Sequence, residues 1–123
     1  MKLIHLPMPL MATAIAYGML VGCGSYAPPN ESLVNSQASV RAAQEVGAQN
    51  NPQAALHLKL AQEQVDQARQ LMGDGDNKRA EFVLLRAQAD AELAVALARE
   101  ASARGEAQQA QDELKSLKNG DHR

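Results

Sequence analysis

Alanine recurs at heptad spacing along most of this chain, and that repeat leaves few folds open. Ala80, Leu84, Ala87, Ala91, Ala94, Ala98 and Ala101 follow one another in steps of four and three. Such steps place side chains on one stripe of an α-helix. Upstream, Ala54, Leu58, Ala61, Val65, Ala68 and Met72 repeat the pattern without interruption. Alanine is the strongest helix former, and a seam built from it suits helices that approach closely. It does not suit a thick core: aromatic residues make up only 2% of the chain, and Trp is absent. The expected class is all-α.

Breaks in the pattern divide the chain. Gly24-Ser25-Tyr26-Ala27-Pro28-Pro29-Asn30 has Gly and Pro punctuation and no period, which reads as a linker over residues 23–30. A first helix is expected from Glu31 or Ser32 to about Ala48, on a ragged stripe of Leu33, Val34, Val40, Ala43 and Val46. Gln49-Asn50-Asn51-Pro52 interrupts it. Asn51 can cap the next helix, and Pro52 fits the first helical position, where no N–H is needed. The second helix runs to about Met72, and Gly73-Asp74-Gly75-Asp76 closes it, with Gly73 as the C-cap and Asp76 free to cap the third helix.

The third helix starts near Asn77 and extends toward Leu117. At Gly105 the stripe changes phase, and Ala107, Ala110, Leu114 and Leu117 continue in a new register. Glycine inside a helix costs about 1 kcal/mol relative to alanine, so Gly105 marks a kink, a stutter or a new segment. Residues 119–123 read as a disordered tail. At 1.5 Å per residue the second helix spans roughly 30 Å and the third roughly 60 Å. A tight turn makes the two an antiparallel hairpin. The expected architecture is a small three-helix bundle over residues 31–118: this hairpin, a shorter N-terminal helix, and a third helix that projects beyond its partner from about Ala98.

The N-terminus carries a different signal. Lys2 is followed by an apolar stretch from Met8 to Val21 and then by Leu20-Val21-Gly22-Cys23. The layout is that of a signal peptide over residues 1–22, and the last four residues resemble the bacterial lipobox. The resemblance implies acylation of Cys23 and cleavage just before it. An ordinary signal peptide with an incidental cysteine is the alternative. One acyl chain gives marginal membrane binding, whereas the two or three of such lipoproteins hold firmly. The stretch is too short, and too broken by Pro7 and Pro9, for a bilayer span of about 20 residues. In these lipoproteins an Asp after the Cys favours the inner membrane. Gly24 stands here, which points to the outer membrane, periplasmic face, if the source is Gram-negative.

Little else suggests chemistry. Twelve Lys and Arg against 14 Asp and Glu give a net charge of −2 without blocks of either sign, which argues against nucleic acid as a partner. His57, between Leu56 and Leu58, has no nucleophile nearby in sequence and no second histidine at ligand spacing. Asp74 and Asp76 lack the remaining ligands of a calcium loop and read as turn and cap residues. Glu63–Arg69 and Arg86–Asp90 look like pairs on solvated helix faces, and His122 lies in the tail. No catalytic residue, cofactor, metal or small-molecule substrate is expected, and Cys23 is the only thiol.

The hairpin is similar to half of a tetratricopeptide repeat: Gly75-Asp76 followed by Ala80, Leu84 and Ala87 resembles that motif's turn and second helix. The aromatic landmarks and the 34-residue recurrence are absent. The arrangement from Ser32 to Glu100 resembles the Ala-rich bacterial envelope lipoproteins that carry the domain of unknown function 4398. Asn51-Pro52, Leu60-Ala61, Ala68, the Gly-Asp turn and Ala80, Ala87 and Ala91 carry the likeness. Some members continue into an OmpA-like domain, for which the stretch beyond Glu100 is too short. The chain also shares heptads and a lipobox with the small coiled-coil lipoprotein linked to peptidoglycan through a terminal Lys; its last lysine, Lys118, is not terminal.

The expectation is a non-enzymatic, outer-membrane-anchored lipoprotein that serves as a structural or adaptor element. Its partners would be membrane lipid, through acylated Cys23, and an envelope protein or a second copy, through the stripe Ala107, Ala110, Leu114 and Leu117. The alternative is a non-catalytic module that binds peptidoglycan or another envelope ligand, for which the sequence displays no concave polar site.

Overall fold

A computed structural model describes residues 26–120. The expected signal peptide, the lipobox residues Leu20, Val21, Gly22 and Cys23, and His122 lie outside the described residues. Three α-helices, α1 (Asn30–Glu45), α2 (Pro52–Gly73) and α3 (Asn77–Gly120), form an all-α three-helix bundle with one short 3-10 turn at Ala48–Asn50.

Each boundary has a local cause. Asn30, read from sequence as linker, opens α1, and α1 ends at Glu45, three residues earlier than expected. Gly47 adopts a left-handed conformation with φ 75°, and its N–H donates to the Gln44 carbonyl at 3.0 Å. A side chain is rarely tolerated at that φ, so the chain turns there. Asn51 caps α2 as expected: its Oδ1 accepts from the N–H groups of Gln53 and Ala54, both at 3.0 Å. Gly73 is the last residue of α2 rather than its cap. The left-handed residue is Gly75, with φ 79°. The N–H of Asp76 donates to the Leu71 carbonyl at 2.8 Å and that of Gly75 to Met72 at 3.1 Å, a Schellman closure. Asp76 Oδ1 then accepts from the N–H of Arg79 at 3.3 Å and starts α3.

α3 passes through Gly105 without interruption and is 44 residues long, about 66 Å. Of the kink, stutter or new segment expected at Gly105, the new segment is overturned: one helix runs through it, and an added Cβ there meets nothing within 4 Å. Asn119 and Gly120, expected in a disordered tail, form its last turn.

The two seams meet as their spacing requires. Ala54, Leu58, Ala61, Val65 and Ala68 of α2 are buried against Ala80, Leu84, Ala87, Ala91, Ala94 and Ala98 of α3. Leu84 is the largest fully enclosed apolar side chain. Two clusters bracket the bundle. Ala68, Ala80 and Leu84 with Leu33, Leu71, Met72 and Val83 form the end near the α2–α3 turn. Ala43, Ala48, Ala54, Leu58, Ala94 and Ala98 form the other. α1 runs parallel to α3 and lies against it far more than against α2. Burial ends at Ala98, and from Ser102 to Gly120 every residue of α3 is exposed. The projecting segment is therefore about 29 Å long.

Candidate partner-binding surfaces

The seam side chains are consumed by folding, so interaction must use what the bundle leaves open. Three places qualify, and they differ in chemistry.

The first is a polar cluster on the α2–α3 flank. Heptad spacing places His57, Gln64 and Leu71 in one row of α2, beside Val83, Asp90 and Leu97 of α3. His57 Nδ1 lies 2.9 Å from Asp90 Oδ1, and Gln64 Nε2 donates to Asp90 Oδ2 at 2.8 Å. Burial pushes the Asp90 carboxyl up, but the hydrogen bonds from His57 and Gln64, with the charges of His57 and Arg86, more than offset this. The carboxyl therefore titrates below its usual range. The side chains of His57 and Asp90 remain 27% and 22% exposed, whereas Gln64 is buried and its Oε1 has no partner. The cluster sets two hydrogen-bonding side chains of α2 on one carboxylate of α3, across the helix pair. The sequence paired Asp90 with Arg86 and Arg69 with Glu63. Instead Asp90 binds His57 and Gln64, while Arg69 binds Asp66 at 2.9 Å and Lys59 lies 3.7 Å from Glu63. At Asp90 contact with the facing helix replaces helix-local pairing, whereas Arg69 pairs three residues away on its own helix.

The second is a cleft between α1 and α2, which sequence reasoning missed. A volume of about 380 Å³ is lined by Gln37, Val40 and Arg41 from α1 and Gln62, Val65, Asp66 and Arg69 from α2. It continues past Gln62 toward Gln44, Gln49, Leu58 and Lys59. The available signal was the ragged stripe of α1: a helix with few apolar residues cannot close against two neighbours at once. The cleft has an apolar floor at Val65 and polar walls, so it can hold a ligand that offers acceptors to Arg41 and Arg69.

The third is the projecting part of α3. Ala107, Ala110, Leu114 and Leu117, the stripe expected to meet a partner, are all exposed, with Leu114 at 66% and Leu117 at 64%. Among the described residues no group of three His, Cys, Asp or Glu side chains could hold a metal ion. No described helix is long and apolar enough to cross a membrane.

The model of the domain of unknown function DUF4398 matches residues 31–110. The chain belongs to the DUF4398 family. The DUF4398 match takes in α1, α2 and the enclosed part of α3, and extends beyond the bundle as far as Ala110. Leu114 and Leu117 lie past the DUF4398 domain. No curated protein and no solved structure matches the chain.

Proposed function

We propose that this DUF4398 protein is a lipid-anchored, non-catalytic spacer or adaptor of the cell envelope, with Cys23 in the membrane and the end of α3 presented to a partner. The observation that carries the reading is the polarity of the fold. Asn77 Nδ2 donates to the Tyr26 carbonyl at 2.8 Å, which fastens the N-terminal segment beside the α2–α3 turn. Only Gly24 and Ser25 separate Tyr26 from Cys23. Chain length holds Cys23 within about 11 Å of Tyr26, which supports an anchor at this end of the rod, while α3 carries the exposed Leu114 and Leu117 toward the other, up to about 60 Å along the helix. The periplasmic face of the outer membrane is the location that Gly24 favours in a Gram-negative source.

The test is to replace Cys23 by Ser in the full-length chain and to fractionate cells fed a radiolabelled fatty acid. Wild type should carry the label and sediment with the outer membrane. C23S should lose the label and most of the sedimenting protein. Wild type without label would sink the proposal.

The α1–α2 cleft favours a second reading, a binding module for peptidoglycan or another envelope ligand. Arg41 and Arg69 on opposite walls suit a carboxylated glycopeptide. Cosedimentation of the full-length protein with purified cell wall, lost in R41A, is the outcome it requires.

A further inference from the structure

α3 has two apolar faces, and the fold uses one of them. The inner face, Ala80 to Ala98, is covered by α1 and α2. Continued past Ala98 by the same steps, it reaches Ala101, Gly105, Gln108, Asp112 and Lys115, and it has become polar. Gln108 and Lys115 donate to Asp112 at 3.0 Å and 3.5 Å along the helix, as on a solvated surface. The stripe Ala107, Ala110, Leu114 and Leu117 is not a continuation of that seam. Traced backward at heptad steps it runs through Ala103, Ala96, Leu93 and Ala89, all exposed. At 100° per residue this outer face lies about 150° around the helix from the inner one. The change of phase at Gly105 is thus the inner seam ending while a second seam continues.

We propose that residues 103–118 of α3 form a parallel helix pair with the same segment of a second copy of this chain. The proposal rests on the reading that this end of the rod meets a partner, and it names that partner. The outer seam from Ala103 to Leu117 keeps strict steps of four and three, with alanines that let two backbones approach and two leucine layers at the far end. Charge decides the direction. In a parallel pair Glu113 stands beside Lys118 of the partner subunit, the flanking pair of opposite sign that such helices use. Among the described residues, neither Glu113 nor Lys118 takes part in an ion pair within its own chain. An antiparallel pair would instead set Glu113 near Glu106 of the partner subunit, two like charges. Toward the bundle the seam meets Glu100, and Arg99 would face Arg104 of the partner subunit, so the pairing stops at Ala103. A parallel pair also places both N-termini at the same end, as two chains held in one membrane require.

The test uses full-length chains with one added cysteine, oxidised in membranes from the expressing cells. L117C places the thiol within the seam, and Q109C places it outside the seam on the same helix. Wild type, with Cys23 alone, gives the background. L117C should form several-fold more disulfide dimer than Q109C. E113K should reduce the L117C dimer, and E113K combined with K118E should restore it. Equal or absent dimer at the two positions overturns the proposal, as does L117C joined only to a different protein. Failure of the anchoring reading shows separately, as loss of the protein from the membrane fraction and Cys23 disulfides in wild type.

Discussion

Asp90 is the residue on which the α2–α3 flank depends, because one carboxylate satisfies two side chains of the facing helix. Removing it in D90A takes away the one side-chain hydrogen bond that Gln64 makes among the described residues, and an orphaned buried polar group costs roughly 1–3 kcal/mol. Chemical denaturation should show a loss of that size at neutral pH. Because folding holds the Asp90 carboxyl below its usual range, the ionised form is favoured in the native state. Its contribution is therefore complete above about pH 4, the unfolded value, and is lost as pH falls through the lower folded value. The difference between wild type and D90A should narrow on acidification, and equal differences at pH 7 and pH 3 would contradict the assignment. Size matters as much as charge in the seam. Leu84 is fully enclosed, so L84A should cost about 2–5 kcal/mol. Enlarging a neighbour, as in A91L, should cost about 1–3 kcal/mol by forcing the helices apart. Thermal melts by circular dichroism read both.

For the hairpin as an element, the alanine seam supplies close packing but weak register. Ala54, Ala61 and Ala68 are seven residues apart, as are Ala80, Ala87 and Ala94, so sliding α2 by one heptad sets alanine against alanine again. Leu58, Val65 and Leu84 resist the slide by volume. The His57–Asp90–Gln64 cluster resists it by stranding a partly buried carboxylate. Replacing all three by leucine should leave the melting temperature unchanged or higher, since apolar substitutes for buried polar groups are often neutral or stabilising. It should also broaden the register, seen as multiple NMR resonances for seam methyl groups; a single set would refute the role. Gly105 belongs to the same scale. It is helical, and an added Cβ there meets nothing within 4 Å. G105A should therefore stabilise α3 by up to about 1 kcal/mol, measured as increased helicity and slower amide exchange around residue 105.

The described residues form a rod whose lower part, up to Ala98 of α3, is a bundle and whose upper part, on to Gly120, is a single helix. An isolated helix of roughly 20 residues is marginal in water even when rich in alanine. The upper part should therefore exchange its amide protons much faster than the bundle unless something lies beside it. Termination after Ala101 removes no buried side chain. It should leave the bundle's melting temperature within a few degrees of wild type; a large fall would mean that the projecting helix supports the fold.

How much was legible in the sequence depended on whether the deciding interaction was local. The hairpin seams, the Asn51 cap, the turn before Asp76 and the end of the seam at Ala98 follow from periodicity and side-chain chemistry within a few residues. The family match over residues 31–110 bears out the DUF4398 domain named in the sequence resemblance. The end of α1 was misplaced because Val46 and Ala48 continue an apolar pattern, and only the backbone shows the chain turning at Gly47. Asp90 looked like a solvated partner for Arg86 because spacing within one helix says nothing about which face meets another helix. The α1–α2 cleft depends on how far α1 stands from α2, a distance set by packing both against α3. The outer seam of α3 was present in the sequence as a stripe, but its meaning required knowing which face was already covered. Periodicity and capping are written along the chain and determined the elements. Coverage and pairing are set between helices, and only the tertiary structure decided them.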